Sequence, residues 1–340
     1  MPRILWSVGA TVLAIPALAH NVTILSDAPV NQEIAGLLVW VLVFSVIVFG
    51  VVAGALAYTV WKFRARPGDD ELPPQVHGND RMEIVWTLIP LLIVMVLFVL
   101  TAQTLVKLKR PVAGAMVVEA TGWQFWWDFQ YPDEGLRTAG ELVIPVGQTV
   151  EVRITAGDVI HSFWPPSLTG KADAIPGEVN RLQFLATKPG NYYGYCAELC
   201  GDSHANMRFR ILALERQDYD RFVETYRTYT ASEPISPLEA QGKELFDAKC
   251  AACHTVKGTT ARGVIGPDLS LFGLRTTLGS GVWENTPENL KRWIRDSAAM
   301  KPGSKMPAFP QLSDADLEAL TAYLYSLKLD GFDFAQLPRY

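Results

Sequence analysis

Residues 196 to 207 read Cys-Ala-Glu-Leu-Cys-Gly-Asp-Ser-His-Ala-Asn-Met, placing two thiols (Cys196, Cys200), an imidazole (His204) and a thioether (Met207) in one short stretch. With His161 upstream they make a set of soft and borderline ligands that suits copper better than magnesium or calcium. Blue-copper sites use one cysteine, two histidines and a weak methionine. Here the cysteine is doubled, so two thiolates are able to bridge a pair of copper ions, each capped by one histidine. Sharing an odd electron across the pair lowers the change of geometry on reduction, which an electron carrier requires.

A second cluster, Cys250-Ala-Ala-Cys253-His254, has the spacing of a c-type haem attachment motif. Each thiol adds to a haem vinyl group, and the adjacent imidazole becomes the proximal ligand. The iron then needs a distal ligand, and methionine raises the potential and suits electron transfer. Met306 and Met300 are the candidates; Met300 falls inside a predicted helix, where core packing is its expected role.

Other readings of the first cluster stand beside copper. A Cys-x-x-x-Cys pair in an exported domain is compatible with a disulfide. Structural zinc would take His161, Cys196, Cys200 and His204, but leaves Met207 without a use. All four cysteines lie in the two motifs, so none remains for a disulfide elsewhere, and the cysteine usage reads as redox chemistry.

The elements that must position these groups begin in a membrane. Of the 340 residues 49% are hydrophobic, which is high for a wholly soluble chain, and a net charge of −5 argues against a nucleic-acid partner. Arg3, an apolar run and Ala17-Leu-Ala19 read as a secretory signal peptide over residues 1–19, with an uncleaved membrane segment as the alternative. Residues 34–61 and 84–106 carry no charge, and each is long enough to span a bilayer, for which roughly 20 residues suffice. Lys62, Arg64 and Arg66 favour a cytoplasmic loop between them; Lys107, Lys109 and Arg110 weaken that vote, and the signal peptide restores it. Asp80-Arg-Met-Glu83 reads as a capping box, with Asp80 as the N-cap of the second helix.

From Val117 to Leu214, short β-branched runs alternate with glycine and proline turns, the pattern of a β-sandwich or barrel. Gly122-Trp-Gln-Phe-Trp-Trp-Asp-Phe-Gln-Tyr131 is the densest aromatic run, and such a run builds a sandwich core edge or a membrane-interface belt. A helix over 215–230 precedes a linker, where Pro234 and Pro237 interrupt the periodicity. Amphipathic helices are predicted from Thr286 to Met300 and from Ser313 to Leu327. The resulting division is a signal peptide (1–19), a membrane hairpin (20–110), a β domain (111–230), a linker (231–236), a helical domain (237–329) and a tail (330–340), which by sequence is uninformative.

The pattern of His161 with Cys-x3-Cys-x3-His-x2-Met resembles the binuclear copper A centre of cytochrome c oxidase subunit II, and the region from Ser236 resembles a class I cytochrome c. Together they resemble the caa3 type of that family, in which a cytochrome c domain follows the copper domain. The resemblance implies a multi-domain membrane protein: a two-helix transmembrane hairpin, an all-β cupredoxin-like Greek key with the copper loop between its last strands, and an all-α cytochrome c domain. It implies copper ligands at His161, Cys196, Cys200, His204, Met207 and the carbonyl of Glu198. The Glu198 side chain would also serve a magnesium or manganese site shared with subunit I. Haem c would be held by Cys250, Cys253 and His254, with Met306 as distal ligand; Gly242, Phe246 and Gly266-Pro-Asp fall at cytochrome spacings. In Glu83-Ile-Val-Trp-Thr87 the resemblance implies the mouth of a proton channel, a role that does not exclude capping.

Two positions depart from the family. Phe125 stands where an electron-receiving tryptophan is expected, and Glu178 stands where many members carry arginine. Neither membrane run contains a histidine, so haem and copper B for oxygen reduction must reside on a partner, subunit I, with subunit III expected beside it. The resemblance further implies electrons from a cytochrome or high-potential redox protein, oxygen reduction with proton pumping, and a place in the bacterial inner membrane with both large domains on the periplasmic side. A copper A-containing nitric oxide reductase and a periplasmic copper-binding module are the alternatives.

Overall fold

The computed structural model describes residues 26–64, 68, 75 and 78–340, so the expected signal peptide lies outside the described residues. Helix α1 spans Pro29–Lys62 and α2 spans Asp80–Lys109. Both outrun the charge-free segments because Asn31-Gln-Glu33 and Lys107-Leu-Lys109, good enough helix formers, carry the backbone ladder into polar flanks. Apolar side chains such as Phe49 and Leu92 point outward on every side, the surface of a helix that faces lipid. Glu33 and Lys107 pair across this hairpin at 2.5 Å. The N-cap of α2 is Asn79, not Asp80: its side chain accepts from the Met82 N–H at 3.2 Å, which moves Asp80 and Glu83 one place into the first turn.

Beyond the hairpin, ten strands form two five-stranded sheets, ordered β3-β2-β1-β5-β8 and β4-β10-β9-β6-β7. The first sheet comprises β1 (Met116–Trp123), β2 (Trp126–Tyr131), β3 (Leu136–Ala139), β5 (Val150–Ala156) and β8 (Asn180–Phe184). The second comprises β4 (Glu141–Pro145), β6 (His161–Trp164), β7 (Ala172–Ala174), β9 (Gly190–Cys196) and β10 (Arg208–Leu214). Alternate residues of β1 are buried, as the two-residue strand period requires for a half-covered sheet. Strand β10 is buried nearly throughout, because helix α3 (Arg216–Thr228) packs on β4 and β10 with Tyr219, Phe222, Val223 and Tyr226 inward. The aromatic run supplies the sandwich centre: Trp127 and Phe129 are fully buried, and Phe163 stacks on Phe209 with centroids 4.3 Å apart. Each such ring contributes about 1.5–3 kcal/mol by leaving water.

The helical domain starts at α4 (Pro237–Lys249), with Ser236 capping the Glu239 N–H and Pro237 in the first turn. Helix α5 (Pro287–Arg295) and the short α6 (Ser297–Met300) replace the single helix predicted to Met300, because Asp296 leaves helical geometry and caps α6 instead. Helix α7 (Asp314–Ser326) opens on a capping box made by Ser313 and Asp316. Helices α4 and α7 cross so closely at Gly242 that a Cβ there would lie 2.0 Å from the Ala319 carbonyl oxygen. A two-strand tongue, β11 (Thr277–Leu278) and β12 (Trp283–Glu284), projects between α4 and α5 in chain order.

The tail is informative in three dimensions. Phe334 is buried beside Phe222, Tyr340 stacks on Tyr192 at 5.1 Å, and the Asn191 N–H donates to the Pro338 carbonyl. Residues 338–340 thereby cover part of the β9 edge that β6 leaves unpaired, which blunts it against other chains.

Candidate copper and haem sites

The long β9–β10 connection carries the thiol cluster, and His161 arrives from the neighbouring strand as the first residue of β6, not from the earlier loop that the family resemblance implies. Pairing of β6 with β9 sets Phe163 opposite Cys196 and so fixes this approach. The Cys196 and Cys200 sulfurs are 3.8 Å apart, nearly twice the disulfide bond length of about 2.05 Å, and both cysteines are free. His161 Nδ1 lies 3.9 Å from Cys196 Sγ, His204 Nδ1 3.6 Å from Cys200 Sγ, and Met207 Sδ 3.8 Å from Cys200 Sγ. The Glu198 carbonyl is 3.3 Å from Cys196 Sγ, while its side chain is exposed at the rim. His161 and Met207 are completely buried. Two thiols, two imidazole nitrogens, a thioether and a carbonyl converging on one small volume match the soft donor set that a copper pair takes.

Electrostatics already favour one thiolate of the pair. The neighbouring Cys200 thiol, ahead of His161, holds the Cys196 thiol far below its ordinary value; Cys200 is raised by the same contact and by burial. Burial alone would lower His161, but its bonds to Cys196 and Asp158 outweigh it and raise the imidazole. Asp158 is the residue that sequence reasoning missed. Its carboxylate faces His161 Nε2 at 2.8 Å and accepts from the Gln124 N–H at 2.8 Å, leaving Nδ1 turned to the sulfurs. Burial would raise Asp158; the Gln124 N–H and His161 bonds instead lower it. A carboxylate behind a ligating imidazole orients it and strengthens it as a ligand. An acid three residues before a candidate ligand was the available signal, and it is too common to act on.

Cys250, Cys253, His254 and Met306 line one large, mainly apolar cavity, with Phe246, Leu269, Leu290 and Leu324 among its walls. His254 Nδ1 donates to the Pro267 carbonyl at 2.8 Å, which aims Nε2 at the cavity, and burial lowers the imidazole so that it stays neutral and able to ligate. Burial likewise pushes the Cys250 thiol up to about 11. A Cβ at Gly266 would lie 2.6 Å from the His254 ring, so the loop needs glycine there. Met300 is half-buried and stands outside both the cavity lining and the buried core of the helical domain. The cavity's size, apolar walls and lining by both His254 and Met306 fit a covalently held porphyrin.

The cavity is closed partly by the sandwich. Trp123, Gln124, Phe125 and Trp126 line it together with the helical domain. Gln124 Nε2 also donates to the Cys200 carbonyl at 2.6 Å, and Ser203 Oγ donates to the Pro302 carbonyl at 2.6 Å. Lys301 reaches across as well, and burial lowers its ammonium to about 7. Of the remaining expected positions, Glu178 is exposed, and the Glu83 carboxylate accepts no hydrogen bond among the described residues.

Comparison with known proteins covers almost the whole chain. The family model for the transmembrane domain of cytochrome c oxidase subunit II matches residues 22–103, that for its periplasmic domain matches 134–214, and that for cytochrome c matches 239–328. Cytochrome c oxidase subunit 2 of Alkalihalophilus pseudofirmus is 43% identical over 88% of this chain and 87% of its own length. That of Bacillus sp. strain PS3 is 37% identical over 79% of this chain and 80% of its own. A solved structure of the periplasmic domain of subunit II of cytochrome oxidase from Bradyrhizobium japonicum covers 34% of this chain and 96% of that one, at 36% identity and a TM-score of 0.33.

Proposed function

Because this chain belongs to the cytochrome c oxidase subunit II family, in the caa3-type arrangement with a fused cytochrome c domain, we propose that it is the electron-input arm of its haem–copper oxidase. Bound at these sites, haem c would take single electrons from a cytochrome or high-potential donor, and copper A would pass them to subunit I for oxygen reduction and proton pumping. The residues we assign are His161, Cys196, Glu198 through its carbonyl, Cys200, His204 and Met207 for copper, and Cys250, Cys253, His254 and Met306 for haem. Asp158 orients His161, and Pro267 orients His254.

The observation that carries this reading is the single layer between the two sites. Gln124 and Phe125 form a wall of the haem cavity, and Gln124 is bonded directly to the backbone of Cys200. A donor fused in place acts intramolecularly, so docking from solution is replaced by a fixed approach. This also accounts for Phe125: buried under the helical domain, it has no outside cytochrome to receive. The aromatic run therefore serves the sandwich core and the haem wall, and not a membrane belt.

Further assignments follow from the same reading. The hairpin α1–α2 anchors the chain in the bacterial inner membrane, with the copper and haem domains on the periplasmic face. Glu83, whose carboxylate is not used in the α2 cap, stands at the mouth of a proton path, and the exposed Glu198 side chain completes a magnesium or manganese site with subunit I. Metal and haem analysis of the purified complex tests the centre of the proposal: a pair of copper ions and a single covalent haem per chain are expected, with copper reduced after haem. Active complex whose Cys196 and Cys200 are joined as a disulfide, with no copper, overturns it.

A further inference from the structure

We propose that two buried polar anchors, Lys301 and Glu141, hold the haem domain in one docked position, and that Lys301 is the positioning residue that keeps Phe125 between the haem cavity and Cys200. The inference rests on the relay proposed above and specifies how its geometry is maintained.

Lys301 follows α6 in the haem domain and is only 3% exposed. Its Nζ donates to the Phe125 carbonyl of the copper domain at 2.7 Å and to the Gly279 carbonyl of the tongue at 2.8 Å. Glu141 belongs to the copper domain, at the start of β4. Its carboxylate accepts from the backbone N–H and hydroxyl of Thr276 and from those of Thr277. The two anchors grip the same tongue: Glu141 holds its first strand, and Lys301 holds its turn. Between them the turn lies on the first residue of β10, where the Arg208 N–H donates to the Ser280 carbonyl at 3.0 Å and Ser280 Oγ donates to the Arg208 carbonyl at 2.6 Å.

Burial makes these bonds decisive. Hydrogen bonds in which one partner is charged are the strong class. A buried carbonyl left without its donor is costly, so neither anchor can be removed silently. By contrast the Lys305–Asp158 pair also crosses between the domains, at 3.4 Å, but its lysine is largely exposed, and such pairs contribute little.

The consequence falls on Phe125. Its ring is wedged between Gly201, adjacent to Cys200, and Gly303, in the segment leading to Met306: added Cβ atoms at these glycines would lie 3.2 Å and 2.9 Å from ring carbons. Lys301 holds the backbone of that same residue. Release of the ammonium frees the ring and the tongue together, and the fused donor becomes merely a tethered one, at an effective concentration of about 1 mM.

The test compares intact oxidase complexes carrying the wild-type chain, Lys301→Met, Lys301→Arg and Glu141→Gln. Three readouts are taken: flash-initiated haem-to-copper transfer, protease cleavage of the 231–236 linker, and the haem midpoint potential. Lys301→Met keeps the apolar stem and loses the charge. It is expected to slow transfer by at least about tenfold and to speed cleavage, with copper and haem spectra unchanged. Below about pH 7, where Lys301 is charged, its haem potential moves down as well, because a cation lining the cavity favours the reduced iron. Lys301→Arg recovers part of the rate. Glu141→Gln, which gives up the carboxylate charge and sets an amide N–H against the Thr276 N–H, slows transfer and speeds cleavage but leaves the potential unmoved, since Glu141 does not line the haem cavity. Should Lys301→Met not accumulate, Glu141→Gln carries the docking claim and Lys301→Arg the positioning claim. Wild-type rates and cleavage in both Lys301→Met and Glu141→Gln overturn the inference. A wild-type haem that never reduces copper overturns the relay itself, while the cleavage comparison still reads docking.

Discussion

The copper loop and the haem cavity are two ways of preparing a site for a redox group. At the copper loop the ligands touch one another: sulfurs, imidazoles and a carbonyl stand within 4 Å of a neighbour, held by strand ends and by Asp158. At the haem site the candidate ligands line a wide cavity whose walls are the interior of the helical domain and the aromatic run of the sandwich. The sandwich has its own core, in which Trp127, Phe163 and Phe209 are in mutual contact and reach as far as His161. The helical domain has Leu290, Ile294, Leu320 and Leu324 turned toward the space that the porphyrin would fill. A copper pair is therefore an addition to a completed fold, whereas haem is part of the core it enters.

The largest expected effect tests that contrast directly. Removing haem attachment with Cys250→Ala and Cys253→Ala should cost the helical domain about 5 kcal/mol, in the range of emptied cores. Cys196→Ser with Cys200→Ser, compared with copper-free wild type, should cost the sandwich only about 1 kcal/mol. Thermal unfolding followed by circular dichroism reads both, and equal losses would break the comparison. Next, Gly242→Val forces a side chain into the Ala319 backbone at the α4–α7 crossing and should destabilise the haem domain by about 3 kcal/mol while leaving copper uptake intact. Denaturant titration checks the first half, and copper spectroscopy checks the second.

Preparation of the copper loop by Asp158 predicts a smaller, specific effect. Asp158→Asn should weaken copper binding by roughly 10–100-fold, measured by competition against a chelator, with an unchanged melting curve for the metal-free chain. Unchanged affinity would mean that strand geometry alone orients His161. The smallest effect sharpens the helical side. Ser313→Ala removes the α7 N-cap and should cost about 1 kcal/mol. Its capping-box partner supplies a pH dependence. The Ser313 hydroxyl, and then its N–H, hold the Asp316 carboxyl below its ordinary value, so its support for α7 is complete at neutral pH and is lost as pH falls through that lowered value. Acid titration of wild type against Asp316→Asn should show the difference vanish in acid.

The two regions also differ in what could be read before folding. Both motifs were legible because their chemistry is local: Cys196 to Met207 form one loop, and Cys250 to His254 form one turn, so ligand spacing survives in the chain. Membrane spans were legible for a similar reason, since lipid imposes length and composition on a continuous segment. The α2 cap was misplaced by one residue because Asn79 and Asp80 have equivalent capping chemistry, and only backbone geometry separates them.

The make-up of both clusters, the membrane hairpin and the order of domains were determined by the sequence alone, because each is written in neighbouring residues. Only the tertiary structure decided that Asp158 backs His161, that Phe125 closes the haem cavity, that the tail covers β9, and that Lys301 and Glu141 hold one tongue from opposite domains. Apart from Asp158 and His161, which are three residues apart, these are contacts between residues far apart in the chain. Their worth comes from burial and hydrogen-bond satisfaction, which no local pattern encodes.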